Sequence, residues 1–429
     1  MDSRLRGNDG VFEMSSRTYL PLEEKPTMTR LLDGIRVIDA ANFIAGPVST
    51  TIMADFGADV IKVEPPSGDI YRVRGAGYPP SPYNYPWILD NRSKRSVAID
   101  LRTRDGQDLL HRLVRDVDVF VTNAPLDSRA RLRVRYEDLA PLNTRLVYGS
   151  ITAYGETGEE ASKPGYDSIA LWARTGLMDL VRASPDVPPA RSLPGMGDHP
   201  TGTALFAAIM AGLYHRERTG RGTMVATSLM ANGLWMNATP VQGILCGART
   251  EVRPPREEAV SALSNLYRCG DGRWFMLNIT GDERHWESLA RGIGREDFLT
   301  DPRFAATNDR RANARALTAI LDAWFATKDW AAWSTILDKT GVAFGVVATL
   351  DDVPHDVQMR TSGALVPIDD ARAGASLTVS SPLQISGQEK VPPTLAPEIG
   401  QHTVEVLRAA GIAAAEIERL LQAGVIVQA

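Results

Sequence analysis

The sequence predicts an α/β protein in which a large Rossmann-like domain is joined to a smaller α+β domain. Three observations support this fold class: β-branched apolar runs alternate with helical periodicity in the first half, the chain has 429 residues, and a charged, proline-containing stretch interrupts the pattern at 249–258. Such alternation is typical of βαβ units, and the length favours two or three domains. The expected segments are 29–222 for the first part of the large domain, 223–258 for a linker, 259–350 for the small domain and 351–429 for a C-terminal segment.

The first βαβ unit follows from residue patterns. Ile35–Asp39 is a short, β-branched, apolar run and predicts a buried strand. A helix is expected from Gly46 to Gly57, because Pro47 suits a first helical turn and glycine ends a helix. The same alternation predicts strands at 59–64, 96–99, 118–121 and 145–151 and a helix at 105–114. Sheets of this kind bind ligands beyond the carboxyl ends of their strands.

Later segments are predicted to be helical. Thr201–Arg218 keeps apolar residues at helical spacing and starts shortly after Asp198. The helical patterns at 401–410 and 414–423 are too short to hold a core, so they must pack on an earlier part of the chain. Residues 1–28 are polar and lack the apolar middle region of a secretory signal, and we expect a loose extension there.

Composition narrows the function classes. The formal net charge of -5 and the pI of about 5.8 argue against broad nucleic-acid binding. Cys246 and Cys269 show neither C-x-x-C nor histidine spacing, so we expect no disulfide framework and no metal site. No apolar run approaches the roughly 18 residues of a membrane span. We therefore expect a cytoplasmic protein with no membrane or nucleic-acid partner.

The segment Gly195-Met196-Gly197-Asp198 places glycines before a carboxylate at a helix start. Glycine lets a ligand approach the backbone closely, and the N–H groups of a helix start can stabilise an oxyanion. Asp198 is therefore a candidate nucleophile, although aspartate in such a pattern is more often a helix cap. His199 lacks metal-ligand spacing and is expected to be a buried or capping residue.

Two further clusters carry candidate site residues. Asp167 follows Tyr166 before an apolar helix and is either a cap or an active-site carboxylate; beside Asp198 it would perturb the titration of that residue. The basic residues are the cluster Asn91–Arg95, then Arg102 and Arg104, and the pair Arg129 and Arg131. Cations at this density either hold the phosphates of a nucleotide-like cofactor or form solvated surface.

Several motifs resemble the class III CoA-transferases, the formyl-CoA and carnitine CoA-transferase family. They occur in collinear order over about Leu31 to Ile426. They are Leu32-Asp33-Gly34-Ile35-Arg36-Val37-Ile38-Asp39, Ala45-Gly46-Pro47, Gly57-Ala58-Asp59-Val60-Ile61-Lys62-Val63-Glu64, Lys94-Arg95-Ser96, Gly197-Asp198, Arg218-Thr219-Gly220-Arg221-Gly222 and Ile399-Gly400-Gln401-His402-Thr403. Each motif is weak alone, and together they are specific.

The resemblance implies a fold and a mechanism. The large domain would be built from both chain ends around a central small domain, and two subunits would be threaded through one another like linked rings. The family's nucleophilic aspartate falls on Asp198, and the substrates would be an acyl-CoA and a carboxylic acid, with no metal. Asp198 would attack the donor thioester, giving a mixed anhydride and then an aspartyl-CoA thioester from which an acceptor carboxylate takes the CoA.

The resemblance also implies which residues surround the substrate. CoA contacts fall on Ile44, Ala45, Ile99, Arg102, Asn123 and Arg131, with Tyr166 and Asp167 near the reacting centre. Arg102 and Arg131 would meet phosphate groups. Formyl-CoA transferase has a glutamine where this chain has Ile44, and its glycine-rich loop has no counterpart near Ser261–Leu266. These departures argue against a formyl or oxalyl substrate.

Two other functions are compatible with this fold. The α-methylacyl-CoA racemases also keep an aspartate at the Asp198 position, and they have a histidine just before the Asp167 position, where this chain has Tyr166. A phenol, with an ordinary pKa of about 10, is a poor base at neutral pH, so the sequence favours transfer over racemisation. An intramolecular CoA shift stays open. The third hypothesis is a CoA-binding paralogue without catalysis, against which the retained Asp198 argues.

Overall fold

The computed structural model describes residues 30–74, 80–249, 254–279 and 283–429, and the expected extension 1–28 lies outside them. The strands are β1 (Arg36–Asp39), β2 (Asp59–Glu64), β3 (Arg95–Ile99), β4 (Val119–Thr122), β5 (Val147–Thr152), β6 (Thr223–Ser228), β7 (Ser264–Arg268), β8 (Trp274–Asn278), β9 (Ala343–Val346), β10 (Leu365–Pro367), β11 (Leu377–Val379) and β12 (Ile426–Val427).

The helices run between and after these strands. They are α1 (Ala45–Asp55), α2 (Tyr71–Arg74), α3 (Tyr85–Asn91), α4 (Arg104–Val114), α5 (Leu126–Leu132), α6 (Tyr136–Leu139), α7 (Leu177–Leu180), α8 (Asp198–Thr219), α9 (Leu229–Met236), α10 (Ala238–Leu245), α11 (Glu283–Gly292), α12 (Thr307–Ala312), α13 (Ala314–Phe325), α14 (Trp330–Asp338), α15 (Val357–Thr361), α16 (Thr403–Ala409) and α17 (Ala414–Gln422). A π-helix spans Asp167–Ala173. None of the helices in the described ranges is long and apolar enough to cross a membrane.

The large sheet has the strand order β12-β3-β2-β1-β4-β5-β6 within the described residues. Every neighbouring pair is parallel except β12 with β3. The predicted α/β class and its first five strands are thus confirmed, with boundaries shifted by at most two residues. The strand order reverses between β1 and β4, so a crevice opens at the carboxyl edge beyond these two strands.

Helices cover both faces of the large sheet. On one face α1 and α8 pack against the strands through Ile52 and Ile209. On the other face α4, α16 and α17 bury Leu110, Leu407 and Leu420. Each such side chain contributes about 1.5–3 kcal/mol on burial. Since α1 leads back to the start of β2 and α8 to the start of β6, both helices begin at the carboxyl edge, beside the crevice.

The strand β6 corrects the expected linker. Residues 223–258 were expected to connect two domains, but β6 pairs with β5 along its whole length, from Val147 opposite Thr223 to Thr152 opposite Ser228. The stretch is rich in β-branched residues and adds an edge strand to the large sheet. The helices α9 and α10 then follow before the small antiparallel sheet.

A second, smaller sheet has its own core. The strands β7, β8 and β9 are antiparallel, and α11, α13 and α14 pack with them. The core is rich in large aromatic side chains, among them Trp286, Phe325 and Trp333. It is separate from the two cores of the large sheet, as expected for a chain of this length.

The C-terminal helices are confirmed as α16 and α17. They pack in the same core as α4, and β12 adds to the edge of the large sheet with Ile426 opposite Ile99. The strands β10 and β11 form a separate antiparallel pair. Neither C-terminal helix has a core of its own, which agrees with the expectation that they pack on earlier residues.

A buried ion network ties these elements together below the carboxyl edge. Lys94 Nζ lies 2.9 Å from Asp39 Oδ2, and Lys62 Nζ lies 3.0 Å from Asp69 Oδ2, with all four side chains fully buried. Lys94 Nζ also donates to the backbone carbonyls of Pro47 and Asp90, each at 2.9 Å. The network therefore holds the end of β1 against the start of α1 and the end of α3.

The basic cluster 91–95 was interpreted as either a phosphate site or solvated surface, and both interpretations are wrong for Arg92 and Lys94. Lys94 belongs to the buried network. Arg92 pairs with Asp55 at 2.7 Å and is almost completely buried. Arg95 pairs with Asp59. Their acidic partners are 36 to 55 residues earlier in the chain, so sequence alone could not reveal the pairing.

Candidate active site

Asp198 is the first residue of α8, and its helix cap is Gly197. The capping role considered for Asp198 is therefore wrong, and its carboxyl group is not used to close the helix start. Gly195 has φ +86°, a conformation that other residues adopt only with strain. Thr201 Oγ1 donates to the Gly197 carbonyl at 2.7 Å, which anchors the turn that precedes Asp198.

Asp167 contacts this turn from the π-helix. Its Oδ2 accepts from the Gly197 N–H at 3.1 Å, and its Oδ1 accepts from the Ser168 N–H at 2.7 Å. A Cβ at position 197 would lie 2.9 Å from Asp167 Cβ and 2.8 Å from Leu171 Cδ1, so only glycine fits there. Asp167 is buried, and the helix cap is Tyr166. The structure thus brings together the two carboxyl groups that the sequence singled out.

The surroundings of Asp198 disfavour its charged form. Burial and the carboxylates of Asp167 and Asp90 together raise the pKa of Asp198 to about 8, although His199 opposes them. A carboxyl group that ionises near neutral pH inside a cleft is a frequent feature of active sites. Its carboxylate is also a better nucleophile where water is excluded.

His199 makes two contacts that the sequence did not predict. Its Nδ1 lies 3.0 Å from the Gly195 carbonyl, and its Nε2 lies 3.0 Å from Asp90 Oδ1. The ring is 45% exposed, so the expectation of a buried or capping histidine is wrong. Burial lowers the pKa of His199, but the hydrogen bond and charge of Asp90, the Gly195 carbonyl and the Asp198 carboxylate together outweigh it and raise the pKa to about 9.

Asp90 and Tyr71 also belong to this site. Burial raises the pKa of the Tyr71 phenol, and the carboxylates of Asp90 and Asp198 raise it further, which places all three groups in one electrostatic cluster. Neither residue carries a sequence signal: Asp90 lies 109 residues before His199 and in a segment with no active-site motif. Only the fold brings them together.

The helix start offers fewer oxyanion donors than expected. The N–H groups of His199 and Thr201 already donate to the carbonyls of Gly195 and Gly197. Pro200 has no N–H group. These three positions therefore cannot supply the hydrogen bonds that a helix start commonly provides to an anion.

The loop after β1 lies against the start of α8. Ile44 is the cap of α1, and its Cδ1 would be 3.6 Å from a Cβ added at Gly195. The carbonyl of Ala45 would be 2.6 Å from a Cβ at Gly202, so glycine permits the close approach of α1 to α8. Both Ile44 and Ala45 are buried. The sequence-predicted contacts Ile44 and Ala45 thus lie beside the glycine turn.

Two other predicted residues join this loop. Asn123 accepts from the Asn42 N–H at 2.8 Å and donates to the Asn42 carbonyl at 2.7 Å, which clamps the loops after β1 and β4 together. Tyr166 is 57% exposed, and its ring meets that of Phe43 edge-on at 5.7 Å between centroids. Phe43 has φ +60°, a left-handed conformation that is uncommon for residues other than glycine, in the loop between β1 and α1.

The remaining predicted residues, Ile99, Arg102 and Arg131, form a second group. Gln107 Nε2 donates to the carbonyls of Leu101 and Arg131, at 3.0 and 3.3 Å, and so joins the loop after β3 to α5. Arg102 is 81% exposed and pairs with Asp100 at 2.8 Å, and Arg131 is also exposed. The Ile99 side chain is buried in the core of the sheet. No contact joins this group directly to Asp198 in the part of the chain that the structure describes.

The described residues contain no group of three or more His, Cys, Asp or Glu side chains that could hold a metal ion. The titratable side chains gathered at the start of α8 are Asp198, Asp167, Asp90, His199 and Tyr71. Among these groups the Asp198 carboxyl, which is largely desolvated and follows Gly195 and Gly197 at the start of α8, is suited once ionised to nucleophilic attack on a carbonyl carbon.

Comparison with known proteins gives one consistent result. The sequence profile of CoA-transferase family III matches residues 32–403. The chain is 30% identical over 384 residues to an (R)-2-hydroxy-4-methylpentanoate CoA-transferase of Clostridioides difficile, covering 89% of this chain and 96% of the relative. It is 29% identical to a cinnamoyl-CoA:phenyllactate CoA-transferase of Clostridium sporogenes, with 91% and 96% covered.

Solved structures agree with these relatives. A CAIB/BAIF family protein from Brucella suis superposes with a TM-score of 0.77 at 29% sequence identity. The match covers 89% of this chain and all of that protein.

Proposed function

Since this chain belongs to the family III CoA-transferases, we propose that it moves CoA from an acyl-CoA to the carboxylate of a second acid, with Asp198 as the nucleophile. Transfer of CoA in general follows from the family. What we propose beyond this is that Asp198 is the nucleophile and that an aspartyl-CoA thioester is the intermediate. The observation that carries it is the desolvated Asp198 carboxyl group, which stands at the start of α8 beside Asp167 and is not consumed by a capping bond.

The first half of the reaction loads CoA onto the enzyme. The Asp198 carboxylate attacks the thioester carbonyl of the donor, and the C–S bond breaks to give an acyl-aspartyl anhydride and the CoA thiolate. The thiolate then attacks the aspartyl carbonyl of the anhydride. The donor acid leaves as a carboxylate, and an aspartyl-CoA thioester stays on Asp198.

The second half repeats these steps in reverse. The acceptor carboxylate attacks the aspartyl thioester and releases the CoA thiolate, and the thiolate attacks the acyl carbonyl of the new anhydride. The products are the acceptor's CoA thioester and the free Asp198 carboxylate. Both intermediates react with water, so the site must be closed during turnover.

CoA would lie along the carboxyl edge of the large sheet. The buried loop at Ile44 and Ala45 lies beside the glycine turn and suits the thioester end. Arg102 and Arg131 are exposed, are linked through Gln107, and suit the phosphate groups. Asn123 holds the loop between these two regions. Since the Ile99 side chain is buried, CoA would meet only its backbone.

The acceptor would be an acid with an apolar body. Ile44 presents an apolar side chain beside the glycine turn, where formyl-CoA transferase has a glutamine. The two relatives described above are named for acids that carry a branched alkyl or a phenyl group. Formate and oxalate have no such group, so we expect them to be poor substrates.

A homodimer is part of the proposal, and we expect the cytoplasm as its location. The helices α9 and α10 leave large apolar side chains exposed, including Trp235 at 81% and Leu245 at 75%. No residue of α10 is buried in the single chain. Exposed apolar surface of this kind is usually covered by another subunit. A second chain threaded past these helices would also help to close the site against water.

Racemisation of an acyl-CoA needs two bases on opposite sides of the α-carbon, and neither Tyr166 nor His199 suits the role of the second base. Tyr166 occupies the position of the racemase histidine. His199 is nearer to Asp198, but both of its ring nitrogens already face acceptor oxygens. A nitrogen that donates a hydrogen bond has no lone pair with which to accept a proton.

A transfer assay tests the proposal. The purified protein is incubated with acetyl-CoA or succinyl-CoA and a panel of carboxylic acids, and new CoA thioesters are measured by mass spectrometry. We expect transfer to acids with an apolar side chain and its loss in Asp198→Asn. Exchange of an α-proton without transfer would establish the racemase alternative, and tight CoA binding with neither reaction would establish a binding protein.

A further inference from the structure

Both ring nitrogens of His199 face an oxygen that can accept a hydrogen bond. A carbonyl oxygen can only accept a hydrogen bond, so Nδ1 carries a proton toward Gly195. The carboxylate oxygen of Asp90 is also an acceptor, so Nε2 carries a second proton. A neutral imidazole has a single N–H group, and a ring with two is an imidazolium. A His199 ring that donates to both oxygens would place a fixed positive charge directly after Asp198 in the chain.

We propose that His199 is a positioning residue, an imidazolium clamped between Asp90 and Gly195 that holds the glycine turn in place and favours the ionised form of Asp198. This inference rests on the proposed role of Asp198 as nucleophile. His199 itself has no nitrogen left to contact a substrate, so it acts through its neighbour.

The clamp is supported on both sides. The backbone carbonyl of Asp90 accepts from Lys94 Nζ at 2.9 Å and from Thr51 Oγ1 at 2.5 Å, so α3 presents the carboxylate in a fixed place. On the other side Gly195 turns its carbonyl to the ring, and a Cβ at this position would lie 3.3 Å from Nδ1. The imidazolium thus connects α3 to the turn that positions Asp198.

The charges around Asp198 show what this cation does. Asp167 on the π-helix and Asp90 on α3 face Asp198 and disfavour its ionisation, as burial does. The Tyr71 phenol faces both Asp90 and Asp198. Lys94 points its charge at Asp39, and Arg92 points its charge at Asp55. Among the charged groups that act on Asp198 in the described part of the chain, His199 is the one that favours the carboxylate.

The protonation state of His199 is measured directly by NMR of the full-length protein labelled with nitrogen-15 at its six histidines. The His199 signal is identified by its loss in His199→Asn, or in His199→Gln if the first variant does not fold. We expect the shifts of a doubly protonated ring at pH 7, titrating at about pH 9. A neutral tautomer at pH 7 would overturn the inference whatever the reaction is.

The pH dependence of thioester formation on Asp198 tests the effect of the charge. In His199→Asn we expect the acidic limb of kcat/KM to move up by about one pH unit, which lowers activity at pH 7 about tenfold and leaves the alkaline plateau within about threefold. His199→Lys, which keeps a charge, should move the limb back toward the wild-type position. His215→Asn, the same substitution at an exposed histidine further along α8, serves as the control with an unmoved limb.

The outcomes separate this inference from the proposed function. If the wild type forms a thioester on Asp198 and the limb of His199→Asn does not move, the positioning role is wrong and the nucleophile stands. If activity falls equally at every pH, His199 has only a structural role and the inference is wrong. If no thioester forms on Asp198 in the wild type, the proposed function itself has failed.

Discussion

At the scale of single residues, the function depends on a carboxyl group whose surroundings resist its charge. Burial and the carboxylates of Asp167 and Asp90 raise the pKa of Asp198 to about 8, so a proton must leave before it can attack a thioester. An acid whose pKa is higher in the folded than in the unfolded state costs stability as the pH rises between the two values. The ionised Asp198 that the reaction needs therefore lowers the stability of the fold.

Replacing Asp198 by Asn should separate activity from stability. We expect kcat to fall by roughly four orders of magnitude, because the nucleophile is lost. At pH 8 the variant should unfold at a temperature a few degrees higher than the wild type, for a gain of about 1–2 kcal/mol after solvent screening is allowed for. The gain should vanish near pH 4, where the unfolded carboxyl group is also protonated. Calorimetry at both pH values measures it, and a variant that is less stable at pH 8 contradicts the assignment.

Arg131 should act on CoA binding and not on the chemical step. Since an exposed guanidinium on a phosphate contributes mainly to ground-state binding, Arg131→Ala should raise the KM for acyl-CoA about tenfold with kcat nearly unchanged. The effect should shrink at high salt. Arg115→Ala is the control, because α4 ends at the opposite edge of the sheet. Equal effects of the two variants on KM would contradict the proposal that Arg131 binds a CoA phosphate at this edge of the sheet.

At the scale of elements, the site exists because three helix starts converge. α1, the π-helix and α8 meet where Gly197 and Gly202 leave no side chain between them, and closest contacts of 2.6 to 2.9 Å would arise if a Cβ were added. The sequence predicted the strands and most helices, because β-branched runs and helical spacing are local properties. It could not predict the convergence, since Asp167, Ile44 and Asp198 are joined only by the packing of distant segments.

Gly197→Ala should disrupt this convergence. The added Cβ would displace Asp167 or Leu171, and we expect a loss of about 1–3 kcal/mol in unfolding free energy together with at least a hundredfold loss of transfer activity. Gly345→Ala on β9 is the matched control, because no atom lies within 4 Å of the Cβ it would gain. Retention of full activity by Gly197→Ala would contradict the proposed contact of Asp167 with the turn.

The buried ion network of Asp39, Lys62, Asp69 and Lys94 stabilises the elements that carry the site. Burial lowers the pKa of Lys94 to about 8, even though Asp39 favours its charged form. Lys94→Met would leave Asp39 and two backbone carbonyls without their shared donor, and we expect a loss of about 3–5 kcal/mol in unfolding free energy. Denaturant unfolding measures this. A loss below about 1 kcal/mol would show that Lys62 alone satisfies Asp39.

At the scale of the whole molecule, the single chain leaves several large apolar side chains exposed to solvent. Trp235, Leu245 and Val357 are each at least 75% exposed, and apolar residues of this size are normally covered. Composition and length predicted a large α/β protein with a second domain. The exact partition could not be predicted, because β6 follows a glycine-rich turn that also suits a linker.

The dimer should be measurable in solution. Light scattering after size exclusion should give twice the chain mass of 46.7 kDa. If the subunits are threaded through one another, dissociation and unfolding should coincide in denaturant and depend on protein concentration. Trp235→Glu should weaken the dimer. A stable, active particle with the mass of one chain would contradict the dimer.

The most direct test of the central claim is to trap the intermediate on Asp198. The protein is incubated with an acyl-CoA that supports transfer, treated with hydroxylamine and digested, and the peptide containing residues 195–199 is sequenced by mass spectrometry. The aspartyl-CoA thioester predicts a hydroxamate on Asp198 in the wild type and none in Asp198→Asn. Turnover with unmodified Asp198, or with the adduct on Asp167, would contradict it.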